Sequence, residues 1–146
     1  MITPDAIVLF LAGLLAGEEL AICIGIRPAL GRLEASLQIP LRQALIRRLR
    51  VLVPILIFAT LAAGVFAWHA APGTLRLAGP AALLALIAVT LGGTVPINKA
   101  ALAWNPAVPP SGWQESVRRW ERLDIIRCWL ALAAFALFIA AAGFAG

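Results

Sequence analysis

Four long apolar segments dominate the sequence and limit what the chain can fold into. They cover residues 6–26, 51–71, 77–95 and 125–142, and each is 18 to 21 residues long. A helix of that length is about 30 Å long, the hydrocarbon thickness of a bilayer. Because backbone groups in lipid must be satisfied within their own segment, each segment predicts a helix. We therefore expect an all-α integral membrane protein, an up-and-down four-helix bundle that forms a single domain over residues 1–146.

The composition also favours a membrane protein over a soluble one. Hydrophobic residues make up 62% of the chain and charged residues only 13%, whereas about a quarter of a soluble domain is charged. The N-terminus carries Asp5 instead of a basic segment, and the first apolar segment is longer than the core of a signal peptide. We therefore expect the first helix to be retained, with the lipid bilayer of a bacterial inner membrane as its surroundings.

The basic residues predict the orientation in the membrane. The N-terminal flank has no Lys or Arg, and the three links between the segments have six, one and five in turn. Positive charge stays on the cytoplasmic side. Both termini are therefore expected to be extracytoplasmic. This placement, together with anionic headgroups, explains the net charge of +5 without a nucleic-acid partner.

Proline, glycine and helical spacing predict the helix boundaries. The second helix is expected over about residues 40–70, because the apolar positions before residue 51 keep helical spacing. The third helix is expected to begin near Gly79–Pro80, to loosen at Gly92–Gly93 and to end by Pro96. The Ser-x-x-Gln spacing at residues 111–114 is typical of a capping box that begins a long fourth helix.

Two acidic residues interrupt the first apolar segment. Glu18 and Glu19 lie near its middle, where an ionised carboxylate costs at least about 2.5 kcal/mol. Such a residue usually faces the protein interior and needs a partner, either for function or as a structural bond to another helix. Adjacent residues of a helix are about 100° apart, so at most one of the two can point straight inward. The sequence leaves open which one does.

Polar residues at a similar depth come from the second half of the chain. Trp120, Asp124 and Arg127 recur at i, i+4 and i+7, so they share one face of the fourth helix. Thr94 and Asn98 lie at the cytoplasmic end of the third segment. The sequence therefore predicts a polar, cytoplasm-facing pocket that is walled by the first, third and fourth helices.

Candidate roles follow from the chemistry of these side chains. Glu19 or Glu18 is the candidate base, and Arg127 and Asn98 are the candidates for stabilising an anion that forms during a reaction. Two structural alternatives stay open: Arg127 can mark the membrane boundary, and Asn98 can cap the third helix. Trp104 can anchor the link at the membrane interface or cover the pocket.

Other catalytic and cofactor motifs are absent from the sequence. It contains no phosphate-binding loop, hydrolase nucleophile motif or metal-ligand spacing. Cys23 and Cys128 do not form a CxxC pair, and His69 is the one histidine. We therefore expect neither a metal nor another cofactor.

A set of short motifs connects the chain to a known family. Val95–Asn98 is followed by Trp104–Pro106, then by Trp120, and then by Arg127 at the start of an Ala- and Leu-rich helix. In this order and in its span layout, the chain resembles the anthrone oxygenase-like family of small four-span membrane proteins. Many relatives have His or Asn just before the Arg, where this chain has Asp124.

The resemblance implies a cofactor-independent oxidoreductase that converts an anthrone-type polyketide, or another flat lipophilic molecule, to a quinone. A base would remove the benzylic proton, and the aromatic anion would itself reduce oxygen. The implied partner is a lipophilic small molecule that enters from the bilayer. The alternative is a non-enzymatic membrane module, such as a small-molecule or proton carrier subunit or an assembly partner. Small residues in the third and fourth helices also allow a homo-oligomer.

Overall fold

In a computed structural model of the protein, which describes residues 3–143, the chain forms four long helices and no strand. Each helix is long and apolar enough to cross a membrane, which confirms the all-α membrane fold. The ends of the predicted 1–146 domain lie outside the described residues, and the orientation of the termini stays a prediction. The helices are α1 (Pro4–Leu30), α2 (Ala35–Ala70), α3 (Thr74–Leu102) and α4 (Trp113–Gly143).

Each helix packs against its neighbours in sequence, and α4 closes the arrangement by packing against α1. Short links between successive helices favour such antiparallel neighbours. The apolar core lies in the half of the structure nearer the chain termini. Small residues on α4 let the helices approach closely there. The core consists of Val8, Ala12, Leu15, Ala16, Val53, Ile57, Leu83, Leu86, Ala131, Ala134 and Phe138.

The closest packing in this core is around the ring of Phe138. Two glycines on different helices, Gly64 and Gly79, face the ring. A Cβ atom at Gly79 would lie 2.5 Å from Cε1 of Phe138, and one at Gly64 would lie 2.8 Å from its Cζ. Neither position has room for a larger residue unless the ring moves, so the two glycines set the spacing of α2, α3 and α4.

Two turns of π-helix widen α1 and α3, at Ile22–Ile26 and Thr90–Thr94. After each turn, the next amide donates to the carbonyl five residues earlier, and a proline follows at once, Pro28 in α1 and Pro96 in α3. A proline lacks the amide hydrogen, and its ring clashes with the carbonyl four residues before it. In both helices that carbonyl lies inside the widened turn. The π-turn therefore lets each helix continue through its proline.

Both predicted ends of the third helix differ from those in the structure. α3 does not end by Pro96 but continues to Leu102, and the predicted loosening at Gly92–Gly93 takes the form of the π-turn. α3 also begins at Thr74 instead of near Gly79–Pro80. Pro80 is buried inside the helix, and its ring lies against Gly64, so tertiary packing compensates for the lost backbone bond.

The other two boundaries also differ from the prediction. α2 begins at Ala35, several residues before residue 40. α4 begins at Trp113, and within its first turn the amides of Glu115 and Ser116 donate to the carbonyl of Gly112. Gly112 has a φ of +79°, a conformation that glycine adopts without strain. A glycine turn thus begins this helix in place of the predicted capping box.

Candidate functional site

A cavity of about 300 Å³ lies between the four helices, in the half of the structure that carries the basic links. Its volume is at the lower end of the range for small-molecule sites. The predicted pocket had walls from α1, α3 and α4, but α2 contributes the longest row of lining residues. The lining residues of α2 are Arg42, Leu45, Ile46, Leu49, Arg50, Val53 and Pro54.

The row on α2 gives the cavity its length and shape. Its members are spaced at i, i+3, i+4, i+7 and so on, which places them on one face of the helix. From Arg42 to Pro54 the row covers about 18 Å of helix. The cavity is therefore a long slot parallel to the helices.

The antiparallel helices define two ends of this slot. Its deep end, nearer the apolar core, is lined by Glu18, Val53, Thr90 and Arg127. Its link end, nearer the basic links, is lined by Leu30, Arg42, Leu102 and Trp120. Two lining residues are exposed, Arg50 on α2 and Lys99 on α3. The exposed part of the lining therefore lies on α2 and α3 and consists of two cations.

A buried ion pair joins α1 to α4 behind the deep end. Nη2 of Arg127 donates to Oε1 of Glu19. Glu19 is fully buried and does not line the cavity, whereas Arg127 does. Nε of Arg127 has no hydrogen-bond partner within residues 3–143. The pair thus holds the guanidinium in place and leaves one of its donors free.

Glu18 is the acid that faces the cavity. It is half-buried and lines the deep end, and both of its carboxylate oxygens lack solvent contact and a hydrogen-bond partner among the described residues. The two glutamates therefore differ in their surroundings. Glu19 is paired and enclosed, and Glu18 is unpaired and can meet a ligand.

The remaining predicted pocket residues on α3 and α4 line the same slot. Asp124, Asn98 and Thr94 each have a buried side-chain oxygen without a partner within residues 3–143. Buried polar atoms normally have a partner. Unsatisfied oxygens from two helices around one cavity indicate a place where a ligand or water completes the bonding.

Arg42 is a lining residue that the sequence analysis missed. Its side chain is buried, with 4% of the residue exposed, and its Cζ lies 4.6 Å from the centre of the Trp120 ring. One signal for it is present in the sequence, because Arg42 shares a helix face with the apolar residues Leu45, Ile46 and Leu49. As one basic residue among the six of its link, however, it predicts only the orientation of the chain.

Trp104 does not line the cavity and lies in the link after α3. Its ring packs edge-on against that of Trp113, with 6.2 Å between the ring centres. Its carbonyl accepts a hydrogen bond of 3.0 Å from Nε2 of Gln43, which also donates to the carbonyl of Ala101 at 2.9 Å. Gln43, also missed from the sequence, thus fastens the end of α3 and its link to α2.

The cysteines and acids do not form a metal site. Within residues 3–143, no group of three or more His, Cys, Asp or Glu side chains could hold a metal ion. Cys23 and Cys128 are buried free thiols. The polar side chains that line the slot include carboxylates, guanidinium groups and the amide of Asn98.

A comparison with protein families identifies the family of the chain. The family model described as anthrone oxygenase matches residues 42–137, more than half of the chain. The match begins at Arg42 and includes the lining residues of α2, α3 and α4, while Glu18 and Glu19 on α1 lie outside it. No curated protein and no solved structure matches the chain.

Proposed function

Because the chain belongs to the anthrone oxygenase family, we propose that it oxidises a flat, lipophilic aromatic molecule of the anthrone type with molecular oxygen. The reaction takes place in the slot between the four helices. The observation that carries this proposal is the deep end of the slot. There an unpaired carboxylate, Glu18, and a guanidinium with a free donor, Arg127, line the same apolar cavity.

Glu18 is the proposed base. An anthrone has a methylene group between two aromatic rings, and removal of one proton gives an anion that is delocalised over the rings and the ketone oxygen. A positioned base contributes about 10²- to 10⁴-fold to the rate of such a proton transfer. Glu18 has no competing hydrogen bond within the described residues, so its oxygens are available to the methylene carbon.

The anion then supplies the electrons that reduce oxygen. A carbon–oxygen bond forms at the former methylene carbon and gives a peroxide anion, which takes back the proton held by Glu18 and becomes a hydroperoxide. The O–O bond then breaks, and the second proton on that carbon leaves with the departing oxygen as water, which yields the quinone carbonyl. One oxygen atom of O₂ enters the product and the other becomes water, so the carbon loses the four electrons that O₂ gains.

Arg127 and Asn98 are proposed to stabilise the anion. Negative charge develops on the ketone oxygen when the proton leaves, and fixed donors in a site away from water stabilise it most strongly. Nε of Arg127 has no partner among the described residues, and the side chain of Asn98 lines the slot. Glu19 acts as a positioning residue, because its bond to Nη2 fixes the orientation of the Arg127 guanidinium.

The substrate is proposed to enter from the bilayer. The exposed lining residues of the slot lie on α2 and α3, and most of its wall is aliphatic. A flat apolar molecule that is dissolved in the membrane can therefore reach the slot between these two helices without crossing water.

The test is oxidation of anthrone by the purified protein in mild detergent. We expect oxygen consumption and quinone absorbance in equal molar amounts. Glu18→Gln is expected to lower kcat by about 10²-fold or more, because the amide cannot accept the proton. Glu34→Gln is the matched control, since Glu34 is an exposed acid outside the slot.

Two results would contradict the proposal. If Glu18→Gln oxidises anthrone at the wild-type rate, Glu18 is not the base. If the wild-type protein does not accelerate oxidation of anthrone at all, the alternative of a non-enzymatic membrane module is favoured.

A further inference from the structure

We propose that Arg42 binds an acidic group of the ligand, a carboxylate or an ionised phenol, at the link end of the slot. The ligand is then an acidic aromatic molecule and not a neutral one. This inference deepens the proposed function and rests on it, since it specifies the class of substrate that the same slot takes.

Arg42 has neither a hydrogen-bond partner nor an ion-pair partner within residues 3–143. Nε, Nη1 and Nη2 are all buried and have no hydrogen-bond partner within residues 3–143. Ion pairs within 4.0 Å in that part of the chain join Asp5 to Arg76, Glu115 to Arg118 and Glu19 to Arg127. Arg42 is in none of them, and Glu121 and Asp124 on the facing helix influence it only from a greater distance. A buried guanidinium in this state is costly, and an anionic ligand would remove the cost.

Trp120 holds the guanidinium of Arg42 without using its N–H groups in a hydrogen bond. Cζ of Arg42 lies over the indole ring at 4.6 Å from its centre, as in a cation–π contact. Nε, Nη1 and Nη2 have no partner within residues 3–143 and are available to a ligand. The planar fork of a guanidinium matches the two oxygens of a carboxylate and gives charge-assisted hydrogen bonds. Trp120 thus presents Arg42 to an anion that enters the slot.

The slot is long enough to hold an aromatic acid along its length. Arg42 lies at its link end and Glu18 at its deep end, and the α2 wall between them covers about 18 Å. A three-ring aromatic system is shorter than this. A ligand with its acid at Arg42 can therefore lie along Leu45, Ile46 and Leu49, with its rings toward Glu18. A rigid flat acid suits such a straight slot better than a two-tailed lipid does.

The exposed part of the slot lining also favours an acidic ligand. Its exposed lining residues, Arg50 and Lys99, are both cations. Cations at the mouth of a cleft attract an acid and raise its local concentration. An amphiphile with an acidic group and an apolar ring system would thus be drawn to the opening and retained inside.

The experiment compares two probes that differ only in charge, anthraquinone-2-carboxylate and anthraquinone-2-carboxamide. Both are already quinones, so their binding is independent of any oxidation. Dissociation constants come from equilibrium dialysis of the full chain in nanodiscs of phosphatidylcholine. We expect the wild-type protein to bind the carboxylate about 10- to 100-fold more tightly, as for hydrogen bonds to charged groups.

Variants test whether Arg42 causes the preference for the carboxylate probe. Arg42→Gln is expected to bring the ratio of the two dissociation constants close to one, and Arg42→Lys, which keeps the charge without the planar fork, to retain part of it. Arg48→Gln is the matched control and is expected to keep the full ratio, because Arg48 is an exposed residue of the same helix outside the slot.

Equal affinity of the wild-type protein for the two probes would overturn the proposal without any variant, and so would a preference that Arg42→Gln retains. A further experiment repeats the binding measurement in nanodiscs of phosphatidylglycerol, an anionic lipid. Displacement of the carboxylate probe by this lipid would overturn the proposal in favour of an anionic headgroup.

The two proposals fail in different ways. A preference for the carboxylate without oxidation of anthrone supports the acid site and contradicts the oxygenase. Oxidation of anthrone without a preference between the probes supports the oxygenase and contradicts the acid site.

Discussion

The buried ion pair between α1 and α4 allows the sharpest test of the structure. Glu19→Gln keeps the shape of the side chain but removes the charge that balances Arg127, of which only 7% is exposed. Removal of one member of a buried pair costs about 3–5 kcal/mol. We therefore expect about 3 kcal/mol, or roughly a 150-fold change in the unfolding equilibrium.

A double variant separates the loss of the ion pair from the cost of leaving the Arg127 charge without its partner. Replacement of both Glu19 and Arg127 by Leu removes both charges, and such a change of a buried pair is often neutral or stabilising. We therefore expect the double variant to be more stable than Glu19→Gln. The matched control is Glu115→Gln, which breaks the exposed pair of Glu115 with Arg118 on α4. It is expected to leave stability unchanged, because exposed pairs contribute little.

The assay is unfolding in mixed micelles as the fraction of sodium dodecyl sulfate rises, followed by tryptophan fluorescence and helical circular dichroism. A Glu19→Gln protein that unfolds at the wild-type detergent fraction would refute the reasoning. A double variant that is no more stable than Glu19→Gln would do the same, since the cost would then not come from an unbalanced charge.

Two further predictions concern packing and the link after α3. Gln43→Ala should cost about 1–3 kcal/mol, because the carbonyl of Ala101 in α3 and that of Trp104 in the link lose their donor. The exposed Gln114→Ala is its control, and equal unfolding midpoints would contradict the role of Gln43. Gly79→Ala should cost about 1–3 kcal/mol through its clash with Phe138, and Phe138→Leu in the same chain should restore part of this loss. Gly17→Ala, where nothing lies within 4 Å of the new Cβ, should be neutral, and a Gly79→Ala protein of equal stability would show that the ring has room to move.

Much of the fold follows from the length and polarity of the apolar segments. In lipid the backbone can satisfy its hydrogen bonds only within a helix or a closed barrel, so segments of this length and composition predict helices. The grouping of Trp120, Asp124 and Arg127 on one face was also predictable, because the positions of neighbours within a helix depend only on its period. All three residues line the slot.

The helix ends were less predictable, because prolines act differently in different surroundings. Pro96 was expected to end the third helix, yet the π-turn before it lets α3 continue to Leu102. Pro80 was expected near a helix start and instead lies inside α3, against Gly64 of α2. In both cases the helix continues through its proline because of the surrounding carbonyls and side chains. The helix propensity of the local sequence does not account for these groups.

The sequence by itself determined the four apolar helices and the presence of acids and bases at a similar depth, since both follow from segment length and helical period. Only the tertiary structure decided that Glu19 pairs with Arg127 while Glu18 faces the slot, because that choice depends on the rotation of α1 against its neighbours. It also decided the role of Arg42. A basic residue in a basic link is ordinary in the sequence. It becomes a buried cation without a hydrogen-bond partner within residues 3–143 only when the fold places Arg42 of α2 over the ring of Trp120 of α4.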